Sequence, residues 1–165
     1  MFNQMLANVK ETIVKPSTAF PRLARECDIK LAALILVLIS AINGIAEGGA
    51  AIVSAILVMS AFWVIETSVL HLLAKIFGAA GDMKRLLIVN AYTMVPSLFF
   101  IPLSFIPGGE MITLAIGGVW TMYLSYLALK SVYPLSAGKT IIILVLLYFV
   151  LAVLAAILAL ALMGA

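Results

Sequence analysis

An ionisable side chain within an apolar helix is costly to bury, so Glu66 and His71 are the first places to look for chemistry. Both lie in the apolar stretch from Ala50 to about Phe77. Beyond the hinge Gly78-Ala79-Ala80-Gly81-Asp82, the residues Asn90, Thr93, Ser97 and Ser104 recur at helical spacing and put a polar stripe on one face. Counted from the hinge centre near Ala80, His71 lies nine residues before and Asn90 ten after. Glu66 and Met94 are each fourteen away, with Thr93 adjacent to Met94. In antiparallel neighbours these residues sit at matching depth, so Glu66, His71, Asn90 and Thr93 are expected to form one buried polar cluster. Glu66 and His71 are about 140° apart around a helix, which weakens a two-residue active site. Interhelical glue, worth ~0.6–2 kcal/mol per contact, is the favoured use of such a cluster. Snorkelling of His71 with Lys75 belongs to the same reading, and a functional polar pocket is the rival.

Other chemistries find little support. One histidine without a nearby thiolate or a His/Glu motif falls short of a metal ligand set, so no metal and no cofactor is expected. The lone Cys27 leaves no internal disulfide framework. Gly138-Lys139-Thr140 imitates the tail of a phosphate-binding loop, but Tyr133 stands where the first glycine belongs. Nucleophile elbows, zinc-protease helices and dinucleotide fingerprints are absent, so the protein is not expected to be an enzyme.

The elements that position these residues follow from composition. Of 165 residues, 65% are apolar and 10% charged, and mean hydropathy is +1.27. A soluble domain is roughly half apolar and a quarter charged, so a water-facing globular fold is excluded. The net charge of +3 is no nucleic-acid signature, because the basic residues are interrupted by bilayer-length apolar runs. A span needs ~20 mostly apolar residues. Five segments qualify, at about 29–46, 50–77, 86–106, 111–129 and 140–163. Short connections make consecutive helices antiparallel neighbours. The expected fold is an all-α integral membrane protein, a five-transmembrane-helix bundle over 29–165, and the polar cluster is then intramembrane. Pro96 and Pro102 should bend the third span.

Charge sets the orientation. Lys10, Lys15, Arg22, Arg25 and Lys30 precede the first span, Lys75, Lys84 and Arg85 flank the hinge, and Lys130 and Lys139 flank the last loop. With five spans all ten fall on one side, which the positive-inside rule makes cytoplasmic. The N-terminus is therefore expected inside and the C-terminus outside.

Residues 1–28 read as a cytoplasmic amphipathic segment. Phe2, Met5, Leu6, Val9 and Ile13 recur at helical spacing, with Asn3, Gln4, Asn8, Lys10 and Glu11 on the other side. This suits an interfacial helix on the bilayer, and equally a tail packed under the bundle. Pro16 ends that helix and Pro21 punctuates again. Small residues at Thr113, Gly117, Thr121 and Ser125, and at Ala152/Ala156 and Ala155/Ala159, favour close helix packing within the chain over a homo-oligomer face. Tyr123, Tyr126 and Tyr133 read as an interfacial belt.

Several stretches together are familiar. Lys15-Pro16-Ser17-Thr18-Ala19-Phe20 precedes the first span, and His71-Leu72-Leu73-Ala74-Lys75 leads into Gly78-Ala79-Ala80-Gly81-Asp82-Met83-Lys84-Arg85. Asn90-Ala91-Tyr92 and Pro96 follow, and Tyr133-Pro134-Leu135-Ser136-Ala137-Gly138-Lys139 introduces the last span. In order and spacing the chain resembles the Yip1 domain family of five-span membrane proteins over nearly its whole length. Eukaryotic relatives sit in early secretory membranes and are associated with vesicle traffic and small GTPases. The resemblance implies a membrane-organising or adaptor role through the cytoplasmic face, with the lipid bilayer and protein partners on that face. The long cytosolic N-terminal region of those relatives is not matched, so the resemblance does not carry GTPase binding over, and the chain is expected to be a compact member of the family, in the plasma membrane if prokaryotic. The alternative is a small-solute or ion transporter using the polar cluster between spans two and three.

Overall fold

The computed structural model describes residues 2–26, 28–46 and 48–163, excepting the side chains of Phe2, Ser104, Glu110, Leu114 and Leu162. Phe2 of the amphipathic face, Ser104 of the polar stripe and Cys27 thus fall outside the described side chains. All regular structure among the described residues is helical. The helices are α1 (Phe2–Val14), α2 (Pro16–Glu26), α3 (Ile29–Ala46), α4 (Ile52–Ile76), α5 (Met83–Thr93), α6 (Ser97–Phe100), α7 (Gly109–Ile112), α8 (Gly118–Val132) and α9 (Ala137–Met163).

Four stretches are long and apolar enough to cross a membrane: Ile29–Ala46, Ile52–Ile76, Met83–Leu103 and Ala137–Ala161. The protein is a multi-pass integral membrane protein. The region read as a fourth span is helical but segmented. α7 runs into a π-helical turn over Thr113–Gly117 and then into α8, whose uninterrupted length is 15 residues. At ~1.5 Å per residue α8 alone falls short of a ~30 Å hydrocarbon core.

α5 is the axis. It packs against α2, α3, α4 and α8, and Leu86 together with residues Ile88 to Thr93 are buried around its circumference. α3 and α4 pair where a Cβ on Gly44 would meet the Ile52 backbone at 2.6 Å, so only glycine permits the approach. The turn between them uses Gly48 and Gly49 at φ +105° and +77°, conformations an L side chain rarely adopts. After Thr93 the helix breaks at Pro96, which lacks the N–H a continuing helix would need. The loosened backbone is still satisfied: Val95 N donates to the Tyr92 carbonyl at 3.3 Å, and Ser97 donates to the Met94 carbonyl at 2.7 Å.

The N-terminal segment departs from the sequence reading in two ways. Pro21 does not end a helix but stands inside α2, which buries Ala19, Phe20, Leu23 and Ala24 against α5 and α8. Full burial of Phe20 and Leu23 is worth on the order of 3–6 kcal/mol, enough to offset the ~3 kcal/mol cost of an internal proline. In α1, the division into an apolar and a polar side is not the one the fold uses. Met5 is buried and Val9 and Ile13 pack on the core, yet Asn8 and Thr12 are buried as well, while Leu6 is half exposed.

The outer surfaces of α4 and α9 expose large apolar side chains, among them Val53, Leu57, Phe62, Val145, Phe149 and Ile157. Such faces fit hydrocarbon rather than water. On this packing, Phe20→Ala should cost ~3–5 kcal/mol in reversible SDS unfolding, whereas Leu72→Ala on the outer face of α4 should cost well under ~1 kcal/mol. Equal costs would mean that α2 is not part of the core.

Candidate functional site

α4 and α5 run antiparallel and place polar residues in their shared interface. Asn90 is the centre: its Nδ2 donates to Glu66 Oε2 at 3.2 Å and to Thr67 Oγ1 at 3.0 Å. Thr93 donates to the Asn90 carbonyl at 2.7 Å and lies 3.4 Å from its Oδ1. All four residues are enclosed, Glu66 being 5% exposed and the others less. None of the ion pairs among the described residues involves Glu66. Tyr148 of α9 lies within electrostatic reach of Glu66. Just along the interface, the Trp63 indole donates to the Leu87 carbonyl at 3.0 Å.

His71 belongs elsewhere. Its Nδ1 lies 2.5 Å from the Tyr133 hydroxyl, at the end of α8. The angular separation of Glu66 and His71 is realised as two different neighbourhoods. Glu66 and Asn90 are equidistant from Gly78, not Ala80, so a register centred on Ala80 mismatches the pairs by four residues. The cause is the hinge. α4 closes at Gly78, where φ is +79° and the N–H of Ala79 returns to the Ala74 carbonyl at 3.0 Å. Residues 79–82 then run outside either helix before Asp82 caps α5 by accepting from the Lys84 N–H at 3.1 Å.

The His71 partner forms a second knot. Tyr133 is buried, and its ring occupies the space of a Cβ on Gly81, which would lie 2.4 Å from the ring carbons. Burial, reinforced by the Asp82 carboxylate, pushes the Tyr133 phenol up to about 12, so it stays neutral and free to donate to His71. One side chain thereby ties the end of α4, the hinge and the α8–α9 connection together. Lys139 adds a strand to this knot by donating to the Phe77 carbonyl at 3.4 Å. In the sequence Tyr133 is legible as an interfacial aromatic and as the start of the stretch before the last span, and nothing local couples it to a histidine sixty-two positions away.

A third polar group fastens the N-terminus. Arg22 of α2 donates to Glu11 Oε2 at 2.5 Å and to Asn8 Oδ1 at 2.9 Å, and the Asn8 amide donates to the Tyr92 hydroxyl at 3.2 Å. Met5, placed by its sequence spacing on an apolar face, is buried in the core, and Val9 and Ile13 pack against that core.

The family model of the Yip1 domain matches residues 10–160 of this chain. Neither a curated protein nor a solved structure matches it.

The geometry separates two sites that differ in coupling. In a double-mutant cycle read by SDS unfolding, Glu66→Leu and Asn90→Leu should couple by ~0.5–3 kcal/mol, whereas Glu66→Leu and His71→Ala should be additive within ~0.5 kcal/mol. Coupling of the second pair and not the first would restore a single Glu66–His71 site.

Proposed function

The chain belongs to the Yip1 domain family, and on that premise we propose that it is a non-enzymatic, five-span membrane protein with a membrane-organising or adaptor role exerted through its cytoplasmic face. The observation that carries this reading is enclosure. Glu66, Thr67, Asn90 and Thr93 bond to one another behind packed helices, as interhelical glue does and as a solvated translocation path does not. In this reading the segmented helix over 109–132 is the fourth span: its pieces of 4, 5 and 15 residues are contiguous and together long enough to cross. All ten basic residues then lie on the cytoplasmic side with the N-terminus, and the C-terminus lies outside. Residues 1–28 are its cytoplasmic-side N-terminal segment, and partners bind the face carrying the hinge and the α8–α9 connection. The transporter reading would need water at Glu66.

Two measurements decide between these alternatives. On a Cys27→Ser background, Pro107→Cys and Ser136→Cys should label from opposite sides of the membrane, and labelling from the same side would remove the fourth span. In proteoliposomes the protein should change vesicle size or shape with protein density and pass no proton or cation current. A current abolished by Glu66→Gln, with no effect on vesicle shape, would replace the organising role by transport.

A further inference from the structure

At the end of the bundle where α4 stops and α9 starts, five cations gather with little opposing charge. Lys75 closes α4, Lys84 and Arg85 open α5, Lys130 closes α8 and Lys139 opens α9. All five are exposed. Contacts already described fold these ends together: Lys139 reaches the Phe77 carbonyl, and Tyr133 packs on Gly81 and pairs with His71. Across residues 75–85 and 130–139 the single acidic residue is Asp82, and it is occupied. One of its oxygens caps Lys84 N and the other lies 4.0 Å from Arg85. None of the ion pairs among the described residues involves Lys75, Lys84, Lys130 or Lys139.

What surrounds them is apolar. Lys75 shares a helix face with Leu72, which is 61% exposed, and Ile76, 69% exposed, stands one turn on from Leu72 beside it. Lys139 stands one turn before the exposed Ile142, and α4 packs against α9. Each lysine thus caps a greasy stripe, and the two stripes lie on adjoining helices. A ligand matching both parts must carry a negative group at one end and hydrocarbon at the other. A free anion has no use for Leu72, Ile76 and Ile142, and an acidic peptide has no use for a surface facing hydrocarbon.

We infer that the α4–α9 seam binds an anionic phospholipid, its headgroup phosphate held by Lys75 and Lys139 and its acyl chains laid along Leu72, Ile76 and Ile142. Lys84 and Arg85 extend the positive field over the same site. Juxtamembrane clusters of four or more basic residues attract anionic lipid in this way, and basic pockets between helices hold particular headgroups. The name of the membrane side rests on the five-span reading, but the seam does not, so a failed topology test would leave this binding test intact.

The full chain, purified in detergent, is offered phosphatidylglycerol or phosphatidylcholine and examined by native mass spectrometry. Phosphatidylglycerol should be retained and phosphatidylcholine lost. Lys75→Gln with Lys139→Gln should weaken retention on the order of tenfold or more, while Lys10→Gln with Lys15→Gln, the same charge change on α1 and its junction with α2, should leave it unaltered. Should the first pair melt early, Lys84→Gln with Arg85→Gln at the capped end of α5 gives the same direction with a smaller loss. Equal weakening by the Lys10/Lys15 pair would reduce the effect to net charge and overturn the site. Equal retention of both lipids would do so too, as would displacement by millimolar inorganic phosphate, which would mean that the anion alone is read. Displacement by a polyglutamate peptide would assign the face to an acidic protein instead.

Discussion

A bilayer offers no hydrogen-bonding partner to a polar group inside it, and the arrangement of α5 answers that constraint. The helix is short, broken at Pro96, and polar on two sides: Asn90 turns to α4 and Tyr92 to α1. Left facing lipid, either side would carry unpaired groups at a cost of several kcal/mol each. Surrounding the helix solves the problem. α4 supplies Glu66 and Thr67, and α1 supplies Asn8. α2, α3 and α8 fill the remaining circumference, with Phe20, Leu23, Leu36, Leu124 and Leu129 buried among them.

Once α5 must be enclosed, its starting point has to be fixed, and Tyr133 does that. The phenol ring can lie on the hinge only because residue 81 has no side chain, and the hydroxyl then meets His71. The α4–α5 hinge and the α8–α9 connection share this anchor at one end of the bundle. The opposite end is held differently, by the Gly44–Ile52 backbone approach and a two-glycine turn, with no comparable polar knot among the described residues. The bundle is stiffly tied at the end with the basic residues and packed mainly by van der Waals contact at the other.

Hydropathy made the long helices legible: Ile29–Ala46 and Ile52–Ile76 lie where the apolar runs end, and the family could be recognised from the order of short motifs. Asn90, Thr93 and Glu66 could be brought near one another by counting from the hinge, because antiparallel neighbours share depth. Counting could not assign partners, since residues 77–82 are not divided evenly between the helices, and four residues of offset is a full turn. Thr67 looks like any helical threonine until Asn90 faces it. The engagement of α1 and α2 was hidden for a different reason. An amphipathic helix has the same pattern whether its apolar side meets lipid or protein, and the buried Asn8 reveals which only through Tyr92 and Arg22. The π-helical turn at Thr113–Gly117 leaves no mark in hydropathy at all.

The central place of α2 bears on how the chain is assembled during synthesis. A ribosome delivers α2 before α8, yet α2 packs against α8 as well as α5, and α8 emerges about a hundred residues later. Until then the N-terminal hairpin has α5 at most to lean on, and its Lys10, Lys15 and Arg22 keep it from sinking into lipid. Incomplete chains that expose such apolar faces are the ones that aggregate or recruit chaperones. The insertion machinery would have to shelter a half-built groove through most of translation, and release it only when α8 slides in to close the wall.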